Sequence, residues 1–343
     1  MKFINRETEI KYLHNHFNSE PNSLLFLYGP KSSGKSTLLS KVVNELDTRK
    51  YVINFLDLRE MLIFDFNSFL DRFFPKTLYG KVQDIADGIT FNIGFFGINL
   101  KNDEKLLSQN PFKLMGDKLR SAKEKNKQPI IILDEIQLLK NIYINEERYL
   151  IDELFNLFIR LTKVTHTAHI ILSTSDSYFI EEIYNSAKLM QTSDFFFVDH
   201  FDKSTVLSWM KSEKLSHEEI ENVWYYLGGS PWEINELLTK KKKGSKVIDI
   251  CNFFVDEKYG KIYEFVRKMK KNDKTVFYDV ILKMVKNQFC QPDSISNNKI
   301  LDSLLSIMIA HDFWFYKVNE QKITANSQSL LRAFERMIKK RTN

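Results

Sequence analysis

The chain has 343 residues, of which 43% are hydrophobic and 27% charged, so it is long enough for two or three domains with packed cores. It lacks a run of about 18–20 apolar residues, which excludes a membrane-spanning helix, and its first residues are too polar for a signal peptide. Two cysteines are too few for a disulfide framework, so we expect a cytoplasmic protein.

The formal net charge of +6 is unevenly distributed along the chain. Residues 240–343 contain 22 Lys and Arg against 11 Asp and Glu, whereas residues 1–239 contain 28 against 33. This asymmetry indicates either a polyanionic or acidic partner for the C-terminal third or a lysine-rich surface that is simply solvated.

A phosphate-binding loop is the first strong motif. An amphipathic helix opens the chain, and the apolar run Leu24–Tyr28 then predicts a buried strand. The loop Gly-Pro-Lys-Ser-Ser-Gly-Lys-Ser at 29–36 follows at once, and a helical segment begins at Thr37. The order strand, glycine loop, helix is the context in which the pattern GxxxxGK[ST] binds the phosphates of a nucleotide.

The chemistry of this loop predicts ATP, ADP and Mg²⁺ as ligands. Gly29 and Gly34 allow backbone N–H groups to turn inward, where they and the helix N-terminus attract the β-phosphate. Lys35 is expected to reach the β- and γ-phosphates and to act in catalysis, and the Ser36 hydroxyl to bind Mg²⁺. The predicted nucleotide-binding set is Gly29, Pro30, Lys31, Ser32, Ser33, Gly34, Lys35, Ser36 and Thr37.

A pair of acids ends another buried strand. Tyr51–Asp57 reads as the second strand, and four large apolar residues after Pro129 lead to Asp134 and Glu135. Asp134 is expected to hold Mg²⁺ through water, and Glu135 to orient or deprotonate the attacking water. The pair therefore favours hydrolysis over binding alone.

The remaining elements up to residue 201 alternate between helix and strand. Helices are predicted near 111–125 and from Glu146 to about Leu161, and strands at 169–175 and 195–198. Alternating residues with two glycines predict a hairpin at 90–100. The pattern indicates an α/β P-loop NTPase of the ASCE type, with a parallel sheet, over residues 1–201.

From Asp202 onward the predicted elements are mostly helical. Three short amphipathic helices and a lysine-rich segment indicate an α-helical lid subdomain and linker over 202–246, with a capping box at Ser216 and Glu219. Three helices, an aromatic hairpin near 313–324 and a last helix at 329–340 predict a C-terminal winged-helix domain over 247–343.

With these motifs, the chain resembles the archaeal ATPase family within the STAND and AAA+-like branch of P-loop NTPases. The resemblance rests on the segments Phe3–Glu7, Gly29–Ser36, Leu133–Glu135, the polar end of the fourth strand, Gly228–Pro231 and the winged helix. It implies that Arg6 lies near the adenine and that Pro231 packs on the base. It also implies that Ser173, Thr174 or Ser175 is a sensor that contacts the γ-phosphate or the attacking water.

One departure from the family concerns arginine. Many relatives carry a Gly-Arg pair before the fifth strand, whereas residues 188–194 here contain no arginine. Since an arginine finger can raise the rate by about 10³–10⁵, its absence predicts slow hydrolysis. Arg59, Arg160 or a partner are the candidate substitutes.

Two functions remain open from the sequence. The first is an ATPase switch that reorients the winged helix toward a protein partner. The alternative is a DNA-binding protein of the origin-recognition kind, in which ATP locks the competent shape; a defence or toxin-type ATPase is a weaker third reading. The predicted recognition helix has one lysine balanced by one aspartate, and stronger basic patches lie at 267–271 and 332–341. The pair His14 and His16 is interpreted as part of a solvated helix, and the oligomeric state stays open.

Overall fold

The structure, a computed structural model, describes residues 3–60, 62–73 and 110–342. The chain forms two compact units. The first comprises Met1–Tyr28, Lys35–Thr174 and Asn185–Phe197, and the second comprises Gly29–Gly34, Ser175–Tyr184 and Val198–Asn343. The predicted hairpin at 90–100 lies outside the described residues.

The elements up to Phe197 alternate between helix and strand. In chain order they are α1 Glu7–Asn18, β1 Leu24–Tyr28, α2 Lys35–Glu45, β2 Tyr51–Asp57, α3 Phe66–Phe73, α4 Pro111–Glu124, β3 Gln128–Asp134, β4 Tyr143–Ile144, β5 Arg148–Tyr149, α5 Leu150–Ile159, β6 His169–Thr174, α6 Ser177–Tyr184, α7 Ala187–Met190 and β7 Ser193–Phe197. All of them belong to the first unit except α6, which belongs to the second.

A five-stranded parallel sheet forms the centre of the first unit, in the order β2-β3-β6-β1-β7. Every residue of β1 and β6 is buried, and β3 is buried from Pro129 to Asp134. Strands covered on both faces need continuous apolar runs, which is the pattern that the sequence carries. The predicted parallel-sheet α/β P-loop NTPase fold is therefore confirmed.

The chain between β3 and β6 differs from the prediction. A 3₁₀ turn follows at Ile136–Leu139, and β4 and β5 then form a small antiparallel hairpin. Asn145 and Glu146 have φ angles of 51° and 62°, so they make the turn of this hairpin and cannot begin a helix. The predicted helix start at Glu146 is wrong, and α5 begins at Leu150.

Helices dominate the second unit. After α6 come α8 Lys203–Ser212, α9 His217–Leu227, α10 Pro231–Lys242, α11 Val247–Arg267, α12 Lys271–Asn287, α13 Asn298–Ala310, β8 Trp314–Lys317, β9 Lys322–Ala325 and α14 Gln328–Thr342. The predicted capping box at the start of α9 is confirmed, with Ser216 and Glu219 each bonding the backbone of the other. Stacked aromatic side chains, among them Phe277 and Trp314 with ring centroids 5.9 Å apart, fill the core between α12 and the β8–β9 hairpin.

The lysine-rich segment from Lys240 to Lys246, which was predicted to be a linker, is partly helical. Helix α10 continues to Lys242, which leaves residues 243–246 between α10 and α11. None of the described helices combines the length and the apolar character needed to cross a lipid bilayer.

Candidate functional site

Polar residues meet at the carboxyl edge of the sheet in the first unit. The strand register aligns Asp57 with Asp134 and Asp134 with Ser173, and it aligns Thr174 with Tyr28 at the end of β1. Tyr28 leads directly into the glycine loop along the chain. In a parallel α/β sheet this edge is where ligands bind, so the register brings three predicted site residues together there.

Asp134 is fully buried at the tip of β3. Its Oδ1 accepts a hydrogen bond from the N–H of Glu135 at 3.1 Å, and its Oδ2 has no hydrogen-bond partner among the described residues. A buried carboxylate oxygen without a partner is costly unless a cation or water satisfies it. Carboxylate and hydroxyl oxygens are hard donors that suit Mg²⁺, and Asp134 and Ser36 supply one of each. The predicted metal ligands therefore fit the ion chemically.

Lys35 opens helix α2 and is 5% exposed. Burial lowers the pKa of its ammonium group from 10.5 to about 8. The nearby carboxylates of Glu135 and Asp134 act in the opposite direction, and the charges of Arg59 and Arg6 add to the lowering. A bound polyphosphate would add negative charge and favour the protonated lysine.

Glu135 is a buried carboxylate at the centre of a hydrogen-bonded network. It is 2% exposed, and its backbone is left-handed with a φ of 61° as the chain leaves β3. Its Oε1 forms an ion pair with Arg59, and its Oε2 accepts a hydrogen bond from Nε2 of Gln137 at 2.5 Å. The Oε1 of Gln137 in turn accepts from the hydroxyl of Thr174 at 2.6 Å. Glu135 is thus held by Arg59, just after β2, and by Gln137, which is bonded in turn to Thr174 at the end of β6.

The three sensor candidates lie in different surroundings. Ser173 and Thr174 are fully buried in β6, and the Ser173 hydroxyl has no hydrogen-bond partner among the described residues. Ser175 is the first residue of a segment that belongs to the second unit. Arg6, which is expected near the adenine, is 7% exposed in a left-handed conformation and forms an ion pair with Glu9 at 2.7 Å.

The glycine loop needs its glycines. A Cβ at Gly29 would lie 2.0 Å from the carbonyl oxygen of Val198, and Gly34 has a φ of 92° that side chains rarely allow. Ser32 also adopts a positive φ, of 64°, which stores strain in the loop. Beyond the loop, Ser36 is half-buried on the first turn of α2 and Thr37 is exposed.

Pro231 begins helix α10 and approaches the glycine loop within the second unit. A Cβ at Gly34 would lie 3.9 Å from its Cγ. A Cβ at Gly229 would lie 1.8 Å from the carbonyl oxygen of Phe201, whose N–H donates to the carbonyl of Gly229 at 2.9 Å. Only glycine permits this approach. The loop residue Lys31 forms an ion pair with Asp312, in the turn between α13 and β8.

Of the two arginines considered as substitutes for an arginine finger, only Arg59 lies at the candidate site. Arg160 begins a π-helical turn that precedes β6, and the next residue, Leu161, bonds to the backbone of Thr167 just before the strand starts. It therefore lies toward the amino edge of the sheet, where it lines a cavity of about 690 Å³. The suggestion that Arg160 assists hydrolysis within its own chain is wrong.

Sequence reasoning missed two members of the site. Gln137 was not singled out, although its position two residues after Glu135 in a short turn is a usable signal. Asp57 was read only as a strand end, yet it pairs in register with Asp134, and burial raises the pKa of its carboxyl group. The alignment of Asp57 with Asp134 and the bond between Gln137 and Thr174 depend on strand register, which the sequence does not state.

Comparison with known proteins identifies relatives across nearly the whole chain. Residues 3–237 match the sequence profile of a family described as an ATPase domain predominantly from Archaea. An uncharacterized ATP-binding protein of Methanocaldococcus jannaschii is 36% identical over 327 residues, covering 93% of this chain and 89% of the relative. A second uncharacterized ATP-binding protein of that organism is 32% identical over 359 residues, covering 96% of both chains.

Solved structures share the fold at low sequence identity. The Walker-type ATPase PABY2304 of Pyrococcus abyssi superposes with a TM-score of 0.64 at 16% identity, covering 97% of this chain and 96% of that one. The ORC2 protein of Aeropyrum pernix, in ADPNP and ADP complexes, gives a TM-score of 0.53 at 11% identity, covering 99% and 96%.

Proposed function

Since this chain belongs to the ATPase domain family that is found predominantly in Archaea, we propose that it binds ATP with Mg²⁺ and hydrolyses it slowly. The observation that carries the proposal is the buried group of Lys35, Asp134 and Glu135 at the carboxyl edge of the sheet. A lysine and two acids buried beside one another are costly unless they serve a charged ligand.

Each residue of the loop takes a role in holding the nucleotide. Backbone N–H groups of residues 31–34 bind the phosphate oxygens, and Lys35 neutralises the β- and γ-phosphates. Ser36 and Asp134 are the proposed residues for Mg²⁺, which when bound neutralises charge on the β- and γ-phosphates. We assign Arg6 and Pro231 to the adenine end, supported by the burial of Arg6 and by the approach of Pro231 to Gly34.

Glu135 is the proposed general base, and Ser173 and Thr174 are the proposed sensors of the γ-phosphate. Arg59 on one carboxylate oxygen and Gln137 on the other compete with a water molecule for Glu135. This engagement supports slow turnover, independently of the missing arginine before β7.

The nucleotide is proposed to act as a switch for the C-terminal region. We assign 1–201 to the ATPase core, 202–246 to the helical lid and linker, and 247–343 to a winged-helix domain that reorients toward a partner. The ion pair between Lys31 and Asp312 supports this coupling, because it joins the phosphate loop to the turn before the β8–β9 hairpin.

A second candidate function is DNA binding that ATP locks in place. It is favoured by the excess of 22 basic over 11 acidic residues in 240–343. The patch at the last helix offers less free charge than its sequence suggests. Arg332 pairs with Glu335 and stacks on Tyr225, and Arg336 pairs with Asp256. Duplex affinity that falls steeply with rising salt would favour this function, and no duplex binding at low salt, with or without ATP, would eliminate it.

Two substitutions test the ATPase. Glu135→Gln should retain ATP binding and lower kcat by about 10²–10⁴-fold, the range of a general base. Lys35→Ala should abolish nucleotide binding in calorimetry. Lys41→Ala is the matched control, because Lys41 lies on the same helix, half-exposed and paired with Glu45. Unchanged kcat in the Gln variant would remove Glu135 from its role, and unchanged affinity in the Ala variant would contradict the site.

A further inference from the structure

We propose that a cavity beside the β8–β9 hairpin is a binding site for a small phosphate monoester. The cavity has a volume of about 720 Å³ and lies within the second unit, between the end of α9, the β8–β9 hairpin and the start of α14. Ligand pockets in proteins have volumes of this order. Among the described residues of its wall, Pro30 is the one member of the phosphate loop, and Lys35, Asp134 and Glu135 are not part of it. The inference is therefore independent of the proposed ATPase function.

The first donors in the cavity are backbone N–H groups at the start of α14. Residues 326–328 line the cavity, and the helix begins at Gln328. The hydroxyl of Ser327 accepts a hydrogen bond from the N–H of Leu330 at 3.3 Å and so caps the helix. The N–H groups of Ser327, Gln328 and Ser329 have no hydrogen-bond partner among the described residues. Unpaired N–H groups at the positive end of a helix attract an anion.

A buried amide beside these N–H groups indicates a ligand independently. Asn326 is 8% exposed, yet it lines the cavity, and its side chain makes no hydrogen bond to any other described residue. Such an amide is costly to bury unless something else satisfies it. Asn326 also lines a neighbouring cavity of about 360 Å³, but Gln328, where the helix begins, lines the larger one alone of these two. The NH₂ group of Asn326 can donate to an anion held at the helix start.

Arg332 adds a positive charge to the wall of the cavity. It lies on the second turn of α14, and its side chain is 14% exposed. Its Nε donates to the carbonyl of Tyr225 at 2.9 Å and its Nη1 pairs with Glu335. Its Nη2 has no hydrogen-bond partner within the described part of the chain. A guanidinium with a remaining donor is suited to a phosphate oxygen.

Two acids also line the cavity, and both are engaged within the chain. Asp199 accepts a hydrogen bond from Nζ of Lys317 at 3.0 Å, and Asp202 accepts one from the N–H of Thr205 at 2.7 Å, where it caps α8. Neither carboxylate therefore requires a cation from outside the chain, whereas the backbone N–H groups, Asn326 and Arg332 still have donors to offer.

The chemistry of the wall favours a phosphate monoester over a carboxylate. A phosphate monoester has three terminal oxygens, one for each kind of donor, and it carries more charge than a carboxylate. Aromatic side chains form the apolar part of the wall, with Trp224 and Phe201 half-buried and Phe315 buried. We assign the organic part of the ligand to these rings, since pockets of this kind combine an apolar wall with a few polar groups that fix orientation.

The experiment uses phenyl phosphate, which joins one phosphate monoester to one flat ring. Its Kd is measured by calorimetry in the full chain, both native and carrying Lys35→Ala. Because Lys35 is not part of the wall, the two Kd values should agree within about twofold. Phenol and inorganic phosphate, which each supply one half of the probe, should both bind more weakly than phenyl phosphate.

Substitutions at Asn326 test the site directly. Asn326→Asp keeps the shape of the side chain but brings a negative charge to the phosphate, so it should weaken binding about tenfold or more. Asn326→Leu removes one neutral hydrogen bond and should weaken binding about three- to tenfold, which keeps the test valid if the other variant melts early. Asn319→Asp is the matched control, because it makes the same change of charge at an exposed position of the β8–β9 turn that does not line the cavity. It should leave Kd within about twofold.

Several outcomes would overturn the proposal. Loss of phenyl phosphate binding in Lys35→Ala would move the ligand to the phosphate loop. Phenol that binds as tightly as phenyl phosphate would eliminate the anion site, and so would an unchanged Kd in both Asn326 variants. No binding of phenyl phosphate at millimolar concentration would refute the site altogether. None of these results bears on the ATPase, which the effects of Lys35→Ala and Glu135→Gln on ATP binding and turnover test separately.

Discussion

Charged side chains are buried at the carboxyl edge of the parallel sheet and exposed elsewhere around it. At the carboxyl edge, Lys35, Asp134 and Glu135 are each at most 5% exposed, and they lie among further polar groups. Around the cavity between α4 and α5, by contrast, the lining arginines are exposed or half-exposed. Two of them pair with acids on their own or a neighbouring element, Arg120 with Asp117 and Arg148 with Glu153.

The difference indicates where a charged ligand is required. An exposed ion pair is satisfied by water and contributes roughly 0–1 kcal/mol, so its presence needs no function. A buried charge without full compensation is retained only where something outside the chain completes it. By this criterion the carboxyl edge is the candidate site for a charged ligand.

The largest effect is expected from Arg59→Ala. The substitution removes one charged partner of the buried carboxylate of Glu135, a loss that in a fully buried pair costs about 3–5 kcal/mol. Because the Arg59 side chain is 48% exposed, we expect a smaller loss in the free energy of unfolding, about 2 kcal/mol, in urea titrations.

Two controls sharpen this result. Arg49→Ala removes an arginine that is 89% exposed and paired with Asp47, so it should cost under about 1 kcal/mol. Adding Glu135→Gln to Arg59→Ala should recover most of the lost free energy of unfolding, since the neutral amide needs no counter-ion. If Arg59→Ala and Arg49→Ala lowered the free energy of unfolding by the same amount, the contrast between the two edges would be contradicted.

A titratable group at the amino edge predicts acid sensitivity. His169 opens β6, and burial, with the charge of His16 as the next cause, lowers its pKa from 6.5 to about 3. The rings of His16 and His169 are 5.1 Å apart, so His16 is half-buried against β6, whereas His14, on the same largely exposed helix, contacts the half-exposed Glu45.

The direction of the pH effect on stability follows from the number of protons that the folded and unfolded chains bind. Between pH 6.5 and 3 the unfolded chain binds a proton at His169 that the folded chain does not, so stability falls as pH falls through this window. The loss attributable to His169 should reach about 2 kcal/mol at pH 5 relative to pH 7. His169→Gln should remove that part of the slope in unfolding titrations, and the exposed His217→Gln should not. An unchanged slope in His169→Gln would refute the prediction.

The sheet and the phosphate loop were predictable because each depends on local sequence. Apolar runs such as Leu24–Tyr28 predict strands that are buried on both faces. The spacing of glycine, lysine and serine from Gly29 to Ser36 predicts the backbone conformation of a phosphate-binding loop. The hairpin at β4–β5 was missed because two non-glycine residues, Asn145 and Glu146, adopt left-handed conformations there. No apolar periodicity marks that choice.

The network around Glu135 was hidden for a different reason. Arg59, Gln137 and Thr174 are far apart in the chain, and they converge only through the register of β2, β3 and β6. The sequence offered Arg59 and Arg160 as equal candidates, and only the location of their elements at opposite edges of the sheet distinguishes them. Strand order and register therefore determine which arginine lies at the candidate site, and the residue types alone do not.

The smallest effect is expected from Arg160→Ala, and its size tests the contrast from the other side. Arg160 is exposed at the amino edge, so its removal should cost about 0.5 kcal/mol or less and leave kcat within about twofold of the native value. Arg148→Ala in the same cavity is the matched control and should behave alike. A tenfold loss of kcat in Arg160→Ala alone, at unchanged stability, would mean that this arginine reaches the nucleotide of another copy of the chain. In that case its exposure would reflect a role in an assembly, and burial would no longer suffice to separate functional from structural charge in this fold.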